Sequence, residues 1–206
     1  MDGVFMKKFF VIFVISILLV ALVGTVTVAK NHRYLTDHVI RLHVVANSDS
    51  QEDQQLKLRV RDGITAWIGQ YADGAMTAEQ ASDWLQTQLP QLQTVAREAA
   101  AAAGWEGDVT VSLAQEAFPT REYDTFSLPA GVYRTLRVNI GQAQGKNWWC
   151  VVFPALCLPA TTEEFRDTAV GSGFSEELTD TLEKPYEVRF FLLDWWGRLE
   201  NFLFRR

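Results

Sequence analysis

From residue 9 to residue 29 no side chain carries a charge, and this run constrains the chain more than any other feature. A helix over these residues would be about 30 Å long, the thickness of a bilayer core. It would be apolar on every face, which a core helix of a soluble domain does not need. Lys7 and Lys8 flank its N-terminal side, so the positive-inside bias holds the N-terminus in the cytoplasm and exports the rest of the chain. Two readings of residues 1–29 stand side by side. A cleaved signal peptide would use the basic start, the apolar stretch up to Val23, the helix-breaking Gly24, and a small-residue site with Thr27 at −3 and Ala29 at −1. An uncleaved membrane anchor would use the full length. Residues 30–38 then read as a polar linker, and residues 39–206 as one extracytoplasmic domain large enough to bury a core. Tethered by residues 30–37 alone, such a domain would reach at most about 25 Å from the bilayer.

The 19 lysines and arginines are outnumbered by 25 acidic residues, a net charge of −6. The surplus grows once Lys7 and Lys8 are set aside. Such a surface repels nucleic acid, and no basic stripe offsets it. The seven tryptophans include Trp105 and two adjacent pairs, Trp148-Trp149 and Trp195-Trp196, material for a core or a partner surface. Cys150 and Cys157 are compatible with one disulfide in an exported chain, and equally with two small buried hydrophobes.

The periodicities predict an α+β domain with helices packed on a mixed or antiparallel sheet. Residues 39–46 read as a strand, with Ile40, Leu42, Val44 and Ala46 inward and Arg41, His43 and Val45 on the other face. Ser50 opens a helix that runs to Tyr71 on a stripe of Leu56, Val60, Ile64, Trp67 and Ile68. Thr77, with Gln80 in the capping-box position, opens another that Pro90 either kinks or restarts and that Gly104 ends. Strands follow at 109–113, 136–140 and 147–153, the last apolar enough to be buried on both faces. Ser175 caps a short helix. Residues 186–193 read as a final strand with Val188, Phe190 and Leu192 inward, and Asp194 as the cap of a terminal amphipathic helix.

Chemistry is sparse. His38 and His43 fall on opposite faces of one strand, and no His-Glu-x-x-His stretch exists. His43 with Asp49 and Asp53 could meet at the strand–helix turn, although a surface histidine beside a capping cluster explains them as well. Gly171-Ser172-Gly173 lacks the buried strand of a nucleophile elbow. Cys150 sits between Trp149 and Val151 with no base beside it. The loop from Gly141 to Lys146 lacks the spacing of a phosphate cradle. No metal, cofactor or small-molecule substrate is predicted, and a binding module explains the chain better than an enzyme. An extracytoplasmic hydrolase of cell wall or peptide is the rival, and a cavity joining His43 to an acid or to Cys150 would favour it.

Three blocks carry a resemblance. Residues 40–50 (Ile-Arg-Leu-His-Val-Val-Ala-Asn-Ser-Asp-Ser) with 53–62 (Asp-Gln-Gln-Leu-Lys-Leu-Arg-Val-Arg-Asp) form the first. Residues 118–123 (Phe-Pro-Thr-Arg-Glu-Tyr), 129–133 (Pro-Ala-Gly-Val-Tyr) and 136–138 (Leu-Arg-Val) form the second. Residues 145–157 (Gly-Lys-Asn-Trp-Trp-Cys-Val-Val-Phe-Pro-Ala-Leu-Cys) form the third. Together they resemble the stage II sporulation protein R family. The resemblance implies a non-enzymatic signal, made in the forespore and exported across its membrane. There it would activate a membrane-embedded aspartic protease of the mother cell, which matures a sigma-factor precursor. The partner-binding candidates are the polar residues of these blocks, Arg41, His43, Asn47, Asp49, Arg121 and Tyr123, with whichever of Trp148 and Trp149 is exposed. For Asn47 and Asp49, capping and local hydrogen bonding is the competing role.

Overall fold

The computed structural model describes residues 3–71, 76–155, 162–184 and 187–204. The uncharged run lies within α1, Gly3–His38, which is apolar enough to cross a membrane by length and composition. After it come β1 (Ile40–Val45), α2 (Gln51–Tyr71), α3 (Ala78–Ala102), β2 (Val109–Phe118), β3 (Arg121–Glu122) and β4 (Ser127–Leu128). Next are β5 (Gly131–Ile140), β6 (Asn147–Phe153), α4 (Thr162–Gly171), α5 (Glu176–Glu183) and α6 (Val188–Phe204). The main sheet has the order β2-β5-β1-β6. β1 and β5 are parallel and the other pairs antiparallel, so the sheet is mixed. The fold is α+β, as the periodicities predict.

Local signals act where they were read. Thr77 and Gln80 form a reciprocal capping box on α3, and Ser175 Oγ accepts the Leu178 N–H at the start of α5. Ser50 Oγ accepts the Asp53 N–H at the start of α2. α3 runs unbroken through Pro90, and Gly104 comes after it at φ +83°, the left-handed conformation glycine supplies at helix ends.

Both faces of the sheet are covered. On one, Leu42, Val44, Leu136, Val138 and Cys150 pack against Leu56, Val60, Ile64, Leu85 and Leu92 of α2 and α3. On the other, Phe118, Tyr133 and Val151 pack under Leu35 of α1, Phe165 of α4, Leu178 of α5 and Phe190 and Leu193 of α6. Every residue of β1 is buried. The expected wet face of β1 is therefore an interior face, because the C-terminal helices close over it.

Three further expectations give way. Residues 30–38 are not a free linker. α1 continues through them, and His32, Leu35 and Thr36 are buried against the domain. Residues 188–193 are helical, not a strand. Phe190, Leu193, Asp194 and Gly197 are the buried positions of α6, a spacing of three and four that belongs to a helix. Asp194 is consequently mid-helix and not a cap. Finally, β6 is an edge strand and its tryptophans are partly exposed, so it is not buried on both faces throughout.

Candidate functional site

Edge strand β6 forms the floor of an open groove of about 700 Å³. One wall is α2, with Arg61, Asp62, Thr65 and Ile68, and the other is the segment 121–126. That segment is a tight hairpin closed by β3–β4 pairing and by the Tyr123 N–H donating to Phe126 O at 2.8 Å. The pairing register puts Trp148 opposite Val44 and Trp149 opposite His43. The two indoles therefore project to opposite sides of the sheet edge. Each is covered by a guanidinium. Arg61 lies 4.3 Å from the Trp148 ring centre and Arg121 lies 3.4 Å from that of Trp149. Arg121 Nε has no hydrogen-bond partner among the described residues. Burial and the neighbouring Arg41 pull the Arg121 guanidinium below its ordinary value. It stays charged at neutral pH because a guanidinium starts far above that range.

The expected contact residues separate into three groups. Arg121, Tyr123, Trp148 and Trp149 meet in the groove, and Cys150 lines its inner side. Arg41 and His43 are interior, contrary to their expected place on a surface. Arg41 is 0% exposed, stacked on Phe118 at 4.1 Å and donating to Tyr123 Oη at 2.6 Å. It supports the groove from behind by fixing Tyr123. Asn47 and Asp49 take the local role. Asn47 Oδ1 accepts the Gln142 N–H, and its amide donates to Asp53. Asp49 accepts the Lys146 N–H at 2.7 Å. Together they pin the 141–146 turn to the start of α2. The Cys150–Cys157 pairing cannot be placed, since Cys157 lies outside the described residues.

His43 does join an acid. Its Nδ1 lies 2.6 Å from Glu116 and its Nε2 2.9 Å from Asn147 Oδ1. Both ring nitrogens are thus engaged within the protein. Cys150 is opposite Leu42 in the register, hence on the other face of the sheet from His43. Among the described residues no group of three or more His, Cys, Asp or Glu side chains could hold a metal ion.

Burial raises the Glu116 carboxyl, but hydrogen bonds from His43 and Arg137 together outweigh it and hold Glu116 below the ordinary glutamate value. A depressed carboxyl contributes stability that is present above its unfolded value, near pH 4.5, and lost as pH falls through the folded one. The denaturation midpoint of the chain in detergent will therefore fall as pH drops from about 5 to about 3. Glu116→Gln will be less stable at neutral pH and will show a shallower fall. Parallel pH curves for the two chains would refute this linkage.

The α2 wall was not expected at the site, although Arg61 and Asp62 end the first of the three blocks. Arg61 and Asp62 look like solvated residues beside the helix stripe, and only the pairing of β6 to β1 under α2 brings Trp148 to them. Glu116 and Asn147 are hidden for the same reason, since three separate strands bring them to His43.

A family model described as Stage II sporulation protein R matches residues 36–163. The chain belongs to the stage II sporulation protein R family. The Stage II sporulation protein R of Bacillus subtilis (strain 168) is 31% identical, the match covering 78% of this chain and 81% of that protein. No solved structure matches the chain. All groove residues lie within the stretch matched by the stage II sporulation protein R model, whereas α5 and α6 lie beyond it.

Proposed function

We propose that this member of the stage II sporulation protein R family is an exported signal that acts by binding. Its partner is a membrane-embedded aspartic protease of the adjacent mother cell, whose activation leads to maturation of a sigma-factor precursor. The observation that carries the binding mode is the groove along β6. It is open and aromatic, sets Arg61 and Arg121 among Asp62, Glu122 and Asp124, and sits inside the family-matched stretch. Two arginine-covered indoles at a sheet edge suit protein recognition, where Trp and Arg supply most of the binding energy. Activation requires tighter binding to the active state of the protease, by about 1.4 kcal/mol for each tenfold shift.

The His43–Glu116 pair is what favours a hydrolase. Against it stand the engagement of both imidazole nitrogens and the placement of Cys150 on the opposite face.

The test is co-expression of the full chain with the candidate protease and the sigma-factor precursor. Cleavage is expected to depend on the chain and to survive Cys150→Ala, since no thiol chemistry is involved. Cleavage that is the same with and without the chain would end the signalling reading.

A further inference from the structure

The C-terminal helix shows water a face that a soluble domain would cover. Val188, Phe191, Trp195, Leu199 and Leu203 recur every three or four residues along α6, opposite the buried Phe190, Leu193 and Gly197. Phe191 is 65% exposed and Trp195 52%. This stripe lies outside the family-matched residues and outside the groove.

Its position names its partner. α6 crosses α1 where α1 enters the domain. A Cβ on Gly197 would stand 2.5 Å from His32 Nε2, and the Glu200 carboxylate lies 3.6 Å from His32 Nδ1. Asn201 donates to Phe118 O at the end of β2, where β2 pairs with Gly131. Gly131 in turn lies under His32 and Thr36. The second half of α6 and the entry of α1 thus share one edge of the sheet. Along α1 the domain's cover begins at Val28, and the preceding described side chains back to Lys8 are exposed. His32 is only about 6 Å along the helix from Val28. The segment long and apolar enough to span a bilayer therefore begins about one turn from α6.

We propose that α6 lies in the headgroup region of the bilayer that α1 enters, with its apolar stripe turned to lipid. Trp195 and Phe191 match the aromatic residues enriched at that depth. The charges around the edge suit anionic headgroups. Lys30 and Arg33 are exposed on α1, Arg198 is exposed on α6, and Arg205 and Arg206 come directly after α6 in the sequence. Arg33 pairs with Asp37 and Arg198 with Asp194, so the surplus positive charge comes from Lys30 and from Arg205 and Arg206, while Glu200 lies against His32 and Glu187 is exposed at the start of α6. The domain would then be held at a fixed tilt on the membrane by two elements.

Full chain is reconstituted in phosphatidylcholine–phosphatidylglycerol vesicles with and without acyl chains brominated near the glycerol. The emission of Trp195 is read as the difference between wild type and Trp195→Phe, and should fall at least about twofold on bromination, as for an interfacial helix. The Trp105 contribution, read with Trp105→Phe at the far end of the sheet, should not change. A separate chain carrying Phe191→Trp should gain emission that bromination removes. If neither the Trp195 contribution nor the added indole at 191 is quenched, the face meets water or a second copy of the chain and the proposal is wrong.

Discussion

Gly197→Ala will lower the unfolding midpoint of this protein more than any other single methyl addition in α6. A Cβ at Gly197 would stand 1.6 Å from the carbonyl oxygen of Ala130 and 2.4 Å from its carbon. These are backbone atoms, so no rotamer change relieves the overlap. The same carbonyl accepts the His32 Nε2–H at 2.8 Å, and the Ala130 N–H donates to Asp194 at 2.9 Å. Moving α6 outward to admit the methyl would break both bonds and part three elements at once. Overpacking of a fixed backbone contact with loss of a buried polar link costs about 3 kcal/mol. Gly69→Ala is the natural control. It lies within α2, where an added Cβ meets nothing within 4 Å, and will be stabilising by about 0.5–1 kcal/mol through helix propensity. Urea titrations in detergent, followed by circular dichroism, measure both. Equal midpoints for the two variants would show that α6 is not seated on Ala130.

On the proposed signalling role, Arg121→Glu will abolish most of the chain-dependent cleavage while leaving the fold intact. Arg121 covers the Trp149 ring, is only half-buried, and sits between the exposed acids Glu122 and Asp124 and the sheet edge. Reversing its charge uncovers the indole and turns that wall of the groove wholly acidic. A central arginine on a tryptophan is the type of contact whose loss costs about 2 kcal/mol or more at an interface, so precursor cleavage should drop by roughly 30-fold. Arg97→Glu, on the exposed side of α3, makes the same charge change away from the groove and should leave cleavage as it is. Loss of cleavage in both variants would point to net charge as the cause. Full cleavage in Arg121→Glu would remove the β6 groove from the binding surface.

Where a segment had to satisfy one clear periodicity, the residues alone predicted it. α2 and α3 carry a single apolar stripe and a polar cap, and residues 136–140 alternate between buried and half-buried positions, whereas the first half of β5, from Gly131, falls outside the predicted strand. Residues 188–193 carry Val-Arg-Phe-Phe-Leu-Leu, which satisfies a period of two and a period of 3.6 equally well. Tertiary contact decided it, through Asp194 and Gly197 further along the same helix. Arg41 and His43 misled for a different reason. A charged residue on an alternating strand normally marks solvent, but here Phe118, Tyr133 and Tyr123 receive the guanidinium and Glu116 and Asn147 receive the imidazole. None of those partners is near β1 in the chain. Half of the groove was legible because Arg121, Tyr123, Trp148 and Trp149 stand in distinctive blocks. The α2 wall was not, because Arg61 and Asp62, though they end the first block, lie off the apolar stripe of their helix and look solvated until β6 is placed beneath them.

The unbroken passage of α1 into the domain turns the fate of the N-terminus into a matter of timing. A protease takes its substrate as an extended strand. In the folded protein residues 27–29 are helical, and Val28 and Ala29 are partly covered by the domain. A peptidase cutting after Ala29 would meet an extended bond there only before Leu35 and His32 dock. Once they dock, the same contacts that complete the core protect the leader. Were residues 1–29 a cleavable signal, secretion and tethering would be two outcomes of one race between folding and cutting.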